Sequence, residues 1–153
     1  MRRAVLCLAL ILLPSLAYAD GWVAQKEDDE GGPVMVASVS ADPVGKITPT
    51  LRLMCDGAKG MMLRYDMASD DGQPGSEADF LFENEVTQGR LHMAYEAMDG
   101  AFAAYFPKTD PIVTLLQTGT DVLVSESSGN YPAQTFSLTG SSKAIGTLLK
   151  GCK

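Results

Sequence analysis

The sequence predicts a mainly β protein, either an antiparallel β-sandwich or a partly closed barrel, with a short C-terminal helix. Short runs in which apolar and polar residues alternate recur along the chain, separated by turn sequences at intervals of roughly 8–12 residues. After Gly140 the apolar residues change to the spacing of a helix. Of the 153 residues, 46% are hydrophobic and 20% are charged, which is typical of one folded domain.

The N-terminal segment has the three parts of a secretory signal peptide. Two arginines precede the apolar residues 4–13, and small residues at positions 17 and 19 provide a cleavage site. The apolar run is too short for a membrane span, which needs about 20 residues. We therefore expect residues 1–19 to be removed, and residues 20–153 to form a single β domain in the periplasm without a membrane span.

The first half of this domain is expected to contain four strands. One alternating run places Leu51, Leu53 and Cys55 on the same face, and a second run after a glycine-rich turn places Leu63 and Tyr65 on the same face. Two such runs around a turn predict a hairpin. A charged, glycine-ended segment is expected to form a turn at residues 26–32. The expected strands cover residues 22–24, 34–40, 50–55 and 61–67.

The second half continues the strand pattern. Asp99 and Gly100 predict a two-residue hairpin turn, and Asp110 is expected to cap a short helix that begins with Pro111. The expected strands cover residues 79–85, 90–98, 101–106, 121–126 and 134–138, and the short helix covers residues 112–117.

The last residues predict a second helix. Ala144, Ile145 and Leu148 recur on one helical face, and Ser141 or Ser142 is expected to cap the helix. Gly151 is expected in a left-handed conformation at the C-terminal end. The apolar face predicts that this helix packs on the sheet.

Two cysteines remain after the predicted cleavage, Cys55 and Cys152. An even pair in an exported protein is typical of a disulfide. The alternative is a metal site, but the chain has one histidine, His92. We therefore expect the disulfide Cys55–Cys152, no metal site and no cofactor.

The candidates for catalysis are few. His92 is expected on an exposed strand face, and the nucleophile and phosphate-loop motifs are absent from the sequence. Asp70, Asp71, Glu77 and Asp79 form an acidic loop, whose spacing does not match a calcium-binding loop. The aromatic and methionine residues are expected to fill the core. No catalytic residue is expected, and the binding residues are unknown at this point.

The charge limits the partners. The net charge is −7 and becomes −9 once the two arginines of residues 1–19 are removed. Such a domain is not expected to bind nucleic acid, which requires a basic surface, and it is expected to be a monomer.

Three segments resemble a known family. They are Trp22 just after the signal, PTLRLMC at residues 49–55, and FSLTGSSKAI at residues 136–145 with the later Leu148 and Cys152. Together they resemble VasI-like periplasmic accessory proteins of type VI secretion systems, or a related family of exported β domains with a single disulfide. The resemblance implies a periplasmic domain with no established enzymatic activity.

The sequence leaves three functions open. The first is a non-enzymatic periplasmic binding or accessory protein, linked to a secretion system or the cell envelope, whose partner is a protein or an envelope component. The second is an inhibitor of a hydrolase such as lysozyme, whose basic surface an acidic domain would complement. The third is a small hydrolase that uses the acids of residues 70–79 with His92, which requires these groups to lie within hydrogen-bond reach.

Overall fold

Antiparallel pairing organises the strands into one sheet. The computed structural model describes residues 21–29, 31–57, 60–67 and 75–152; the predicted signal peptide (residues 1–19) lies outside them. Within these ranges the strand order is β1-β2-β3-β4-β7-β6-β5-β8-β9. The elements are β1 (Val23–Asp29), β2 (Gly32–Ser40), β3 (Thr50–Asp56), β4 (Gly60–Asp66), β5 (Glu77–Glu83), β6 (Gln88–Glu96), β7 (Ala101–Pro107), α1 (Pro111–Leu115), β8 (Asp121–Glu126), β9 (Gln134–Ser137) and α2 (Ser141–Gly151).

The β3–β4 hairpin confirms the strongest alternation in the sequence. Leu53 lies opposite Leu63, and Leu51 lies opposite Tyr65. All four are buried, because a period of two places every second side chain on the core face of the sheet. The same alternation is found in β8, where Val122, Val124 and Glu126 are buried.

The sheet curls into a partly closed barrel. The ring of Tyr65 in β4 lies 5.9 Å from that of Phe136 in β9, although four strands separate them in the sheet order. At the seam, the Trp22 amide donates to the Thr139 carbonyl at 2.8 Å. Gly140 follows with φ 77°, and a Cβ there would lie 3.2 Å from the Trp22 carbonyl oxygen. Glycine is therefore required at this seam both for its conformation and for the close approach.

One end of the barrel, which we call the helix end, is covered by α1. The Asp110 carboxylate caps α1 by accepting from the Ile112 amide at 2.9 Å, with Pro111 in the first turn, as the sequence predicts. Gly89 lets the helix approach β6, since a Cβ there would lie 3.1 Å from Ile112. Asn84 donates to the Leu115 carbonyl at 3.1 Å, which ties the β5–β6 turn to the helix.

The predicted disulfide joins Cys55, near the end of β3, to Cys152, which follows α2. Their Cα atoms are 5.5 Å apart, a common separation for bridged cysteines. Helix α2 packs along β1, β2 and β3 through its buried face of Ala144, Ile145 and Leu148. The fold class, the C-terminal helix and the disulfide are thus confirmed.

The predicted serine cap at the start of α2 and the predicted left-handed glycine at its end are both wrong. Gly140 is the N-cap and no side chain bonds the first turn, while Ser141 is buried within the helix. The Ser142 hydroxyl instead donates to the Gln117 carbonyl at 2.6 Å. Gly151 is still helical, and Cys152 ends the helix in an extended conformation. The seam with Trp22 and the disulfide determine where α2 begins and ends.

Two turn predictions also need correction. Residues 26–29 are not a turn but the second half of β1, paired with β2 through Lys26–Met35 and Glu27–Val34. Charged residues suit this strand because it lies at the edge of the sheet. The β6–β7 connection covers four residues, 97–100, because the amides of Asp99 and Gly100 both bond the Glu96 carbonyl.

None of the helices in the described ranges is long and apolar enough to cross a membrane.

Candidate functional site

The end of the barrel opposite α1, which we call the cavity end, carries three described connections. Strands β2 and β3, β6 and β7, and β8 and β9 are joined there by residues 41–49, 97–100 and 127–133. They share this end because the paired strands are antiparallel, with Ser40 opposite Thr50 and Val124 opposite Gln134. Two of these loops and the end of β4 surround a cavity.

This cavity has a volume of about 230 Å³. Its lining comes from three separate parts of the chain and contains no acidic, basic, histidine or cysteine side chain among the residues that the structure describes. The lining residues are Val44, Ile47 and Pro49, then Tyr65 and Met67, then Asn130, Tyr131, Pro132 and Gln134. The cavity is therefore largely apolar, with a few groups able to form hydrogen bonds.

The β2–β3 loop forms one wall of the cavity. The Val44 amide donates to the Ile47 carbonyl at 2.7 Å, and the Ile47 amide donates to the Val44 carbonyl at 3.2 Å. Gly45, with φ 68°, permits this tight reversal. The Ala41 amide closes the base of the loop on the Pro49 carbonyl at 2.9 Å. This bonding holds Val44, which is 51% exposed, beside the cavity.

Among the lining residues, Tyr65 is buried and lies between aromatic rings of the core. The residue is 1% exposed, and its ring meets those of Phe80 and Phe136 edge-on, at centroid distances of 5.4 and 5.9 Å. Its hydroxyl has no hydrogen-bond partner among the described residues. Burial raises the pKa of Tyr65 well above its ordinary value, so the hydroxyl stays protonated and is able to donate.

The β8–β9 turn is held by Glu126 and positions Tyr131. The buried Glu126 carboxylate accepts from the amides of Ser128 and Asn130, both at 2.8 Å. Burial alone would raise the pKa of Glu126, but the hydrogen bond from the Ser128 hydroxyl and those from the backbone amides outweigh it and lower the pKa. Tyr131 then packs on the aromatic core, with its ring 5.4 Å from that of Phe102. A buried carboxylate thus fixes the second wall.

His92 lies away from the cavity, on the outer face of β6, as the sequence predicts. Its Nδ1 is 3.0 Å from the Asp79 carboxylate and its Nε2 is 3.2 Å from the Glu77 carboxylate. These hydrogen bonds, that of Asp79 first, raise the pKa of His92 above its ordinary value. All three side chains are largely exposed, and none of them lines the cavity.

The structure brings together only part of the predicted acidic loop. Glu77 and Asp79 meet His92, while Asp70 and Asp71 lie outside the described residues. The two carboxylates contact different nitrogens of the ring. Across the described ranges, no group of three or more His, Cys, Asp or Glu side chains is placed to hold a metal ion.

The cavity residues are the ones that the sequence did not single out. The sequence predicts that residues 41–49 form a loop and that Tyr131 follows a turn. The alternation of apolar and polar residues predicts that Tyr65 lies in the core. One signal was present: Val44 and Ile47 are apolar residues in a loop, bracketing Gly45.

The chain was compared with protein-family models, curated proteins and solved structures, and none of the three comparisons gives a match. The resemblance to VasI-like proteins stays a prediction from the three sequence segments.

Proposed function

We propose that this protein is a non-enzymatic binding protein of the periplasm, an accessory protein that holds a protein or cell-envelope component at its cavity end. The observation that carries this proposal is the cavity itself, whose described lining residues are uncharged and are held by hydrogen-bonded loops. Concave, mostly apolar sites with a few polar groups are typical of binding sites.

The distribution of titratable groups favours binding over catalysis. General acid–base chemistry needs a proton donor and acceptor within hydrogen-bond reach of a bound substrate. The described lining of the cavity offers tyrosine and amide groups but no carboxylate or histidine. The exposed trio of Glu77, Asp79 and His92 does have mutual hydrogen bonds, but none of the three side chains lines the cavity.

The cellular role rests on the sequence. The predicted signal peptide and the single disulfide suit the oxidising periplasm, and the resemblance implies an accessory role in type VI secretion. We include the secretion system in this proposal on that basis. Export is tested by sequencing the N-terminus of the protein from periplasmic extracts, which is expected to begin at Asp20; a retained leader would contradict the proposed location.

The binding role is tested by photo-crosslinking in living cells. A photoreactive amino acid replaces Val44 at the cavity end or, as a matched control, Val86, an exposed valine in the β5–β6 turn at the helix end. We expect the probe at position 44 to crosslink to one envelope component and the probe at position 86 to give none. An excess of the protein without the photoreactive amino acid should compete for the partner and reduce the crosslinked adduct. Deletion of the genes of the secretion system should abolish the adduct.

Other outcomes of this experiment contradict the proposal. Equal crosslinking at both positions would mean that the cavity end is not the binding surface. Inhibition of lysozyme at low salt that is unchanged by Val44→Trp would favour the alternative role as a hydrolase inhibitor, with the acidic surface as the cause.

A further inference from the structure

Charge is unevenly distributed along the chain. Residues 20–126 contain all 19 acidic residues and seven basic ones, whereas residues 127–153 contain three lysines and no Asp or Glu. The field of the domain therefore changes sign at its C-terminal part. An acidic partner is repelled by most of this domain and attracted to that part alone.

Helix α2 presents two of these lysines to solvent. Lys143 and Lys150 are exposed, and with about 3.6 residues per turn they lie on the side of the helix opposite its buried face. The rise along the helix separates their positions by roughly 10 Å. Neither lysine forms a salt bridge with another residue in the part of the chain that the structure describes.

The stability of α2 does not explain the position of Lys143. This residue lies in the first turn of the helix, where no acidic side chain is present and the N-cap Gly140 provides no side-chain hydrogen bond. The N-terminal end of a helix carries a partial positive charge, which favours acidic side chains and disfavours a lysine. Lys143 therefore lowers the stability of the helix that presents it.

Gly146 lies between the two lysines on the same side of α2 and is also unfavourable for the helix. Glycine in a helix interior is less favourable than any residue except proline. Its conformation here is helical, and a Cβ at this position would have no atom of the described residues within 4 Å outside the backbone of the helix itself. Neither conformation nor packing requires a glycine, whereas the close approach of another backbone does.

We propose that the outward face of α2, formed by Lys143, Gly146 and Lys150, binds an acidic segment of a partner protein. The two lysines pair with carboxylates of the segment, and Gly146 leaves room for its backbone between them. This inference goes beyond the proposed function, because none of the described lining residues of the cavity belongs to α2.

The composition of this face favours a protein segment over an anionic bilayer. The exposed side chains of α2 are polar, namely Ser142, Lys143, Thr147 and Lys150. Helices that bind at a membrane surface insert an apolar face, but the apolar face of α2 is packed on the sheet. A broad anionic surface would also meet the acidic remainder of the domain, whereas a short acidic segment contacts only the lysines.

A synthetic oligoglutamate peptide is the probe, titrated into the oxidised protein purified from periplasm. We expect the backbone amide NMR signals of Lys143, Gly146 and Lys150 to shift, with an affinity that falls as salt is added. The double variant Lys143→Gln/Lys150→Gln should bind roughly 2- to 30-fold more weakly through the loss of two exposed ion pairs. The charge-matched control Lys46→Gln/Arg90→Gln changes two exposed residues of other elements and should bind as wild type does at physiological salt.

The variant Gly146→Gln separates recognition from structure. Glutamine is a better helix former than glycine, so the urea midpoint should not fall. Its side chain occupies the space between the lysines and should weaken binding of the probe. A lower midpoint would mean that the fold requires the glycine, and an unchanged affinity would exclude a close approach there; either result overturns the role given to Gly146.

The remaining outcomes overturn the proposed surface. Equal losses of affinity in the two double variants would mean that the probe responds only to total charge, and no loss in Lys143→Gln/Lys150→Gln would exclude the helix face. Binding to phosphatidylglycerol vesicles but not to the peptide would assign the lysines to a membrane surface instead. Crosslinking from position 44 should be the same in all these variants, so a failure here is distinguishable from a failure of the proposed function.

Discussion

Removal of the disulfide is expected to destabilise the protein without unfolding it. The bridge from Cys55 to Cys152 spans 97 residues. A loop of this length restricts the unfolded chain by about 4.7 kcal/mol in the chain-entropy model, and measured losses for native disulfides are typically about 2–5 kcal/mol. The double variant Cys55→Ala/Cys152→Ala should therefore lose about 2–5 kcal/mol, a fall of roughly 8–20 °C in Tm.

The contacts of α2 are the reason to expect a folded variant. Ala144, Ile145 and Leu148 are buried against the sheet independently of the bridge, so the helix should stay docked. The assay is urea unfolding followed by circular dichroism, with reduced wild-type protein as the control, which should match the double variant.

Two results would refute this reasoning. An unchanged urea midpoint would mean that the bridge does not constrain the unfolded chain. A loss far above 5 kcal/mol, or reduced helical signal in the native baseline, would mean that α2 depends on the bridge for docking and that its apolar face is insufficient.

Three further predictions concern single side chains. The pKa of His92, measured by NMR titration, should lie above its ordinary value and should fall in Asp79→Asn. Because the folded-state pKa is raised, the hydrogen bonds of the protonated ring stabilise the fold below the unfolded pKa near 6.5. This stabilisation is lost as pH rises through the folded pKa. Glu126→Ala should lower the free energy of unfolding, measured in urea titrations, by about 1–3 kcal/mol. Because the folded-state pKa of Glu126 is lowered, the difference in stability between this variant and wild type should shrink as pH falls below about 4.5. Asp110→Ala should cost about 1 kcal/mol through loss of the α1 cap, whereas Asp121→Ala, an exposed strand acid, should leave the midpoint unchanged; equal losses would contradict the capping role.

Regular elements were predictable because each carries a local periodicity. Leu53 and Leu63 fall on one face of a hairpin through a period of two, and Ala144 and Leu148 share a helical face. The pairing of Cys55 with Cys152 was predicted from the number of cysteines and from the expected export of the chain. These features need no knowledge of distant parts of the chain, so the sequence alone was sufficient.

Features made by tertiary contacts were not predictable in this way. Residues 26–29 have the composition of a turn, yet pairing with β2 makes them strand, since tertiary context outweighs local propensity. Gly140 begins α2 because its backbone meets Trp22, more than 100 positions away. The cavity joins three distant segments. Alternation predicted that Tyr65 is buried, but it did not indicate that its hydroxyl has no partner among the described residues.

The two ends of the barrel differ in the contacts that their connections make. At the helix end, the hydrogen bond from Asn84 to the Leu115 carbonyl and the disulfide join separate segments. At the cavity end, Val44 is exposed, and the buried hydroxyl of Tyr65 has no partner among the described residues, which lowers stability. A fold secured at one end tolerates such groups at the other, because a buried unpaired group costs about 1–3 kcal/mol, a fraction of the about 5–15 kcal/mol of total stability that is typical of folded proteins.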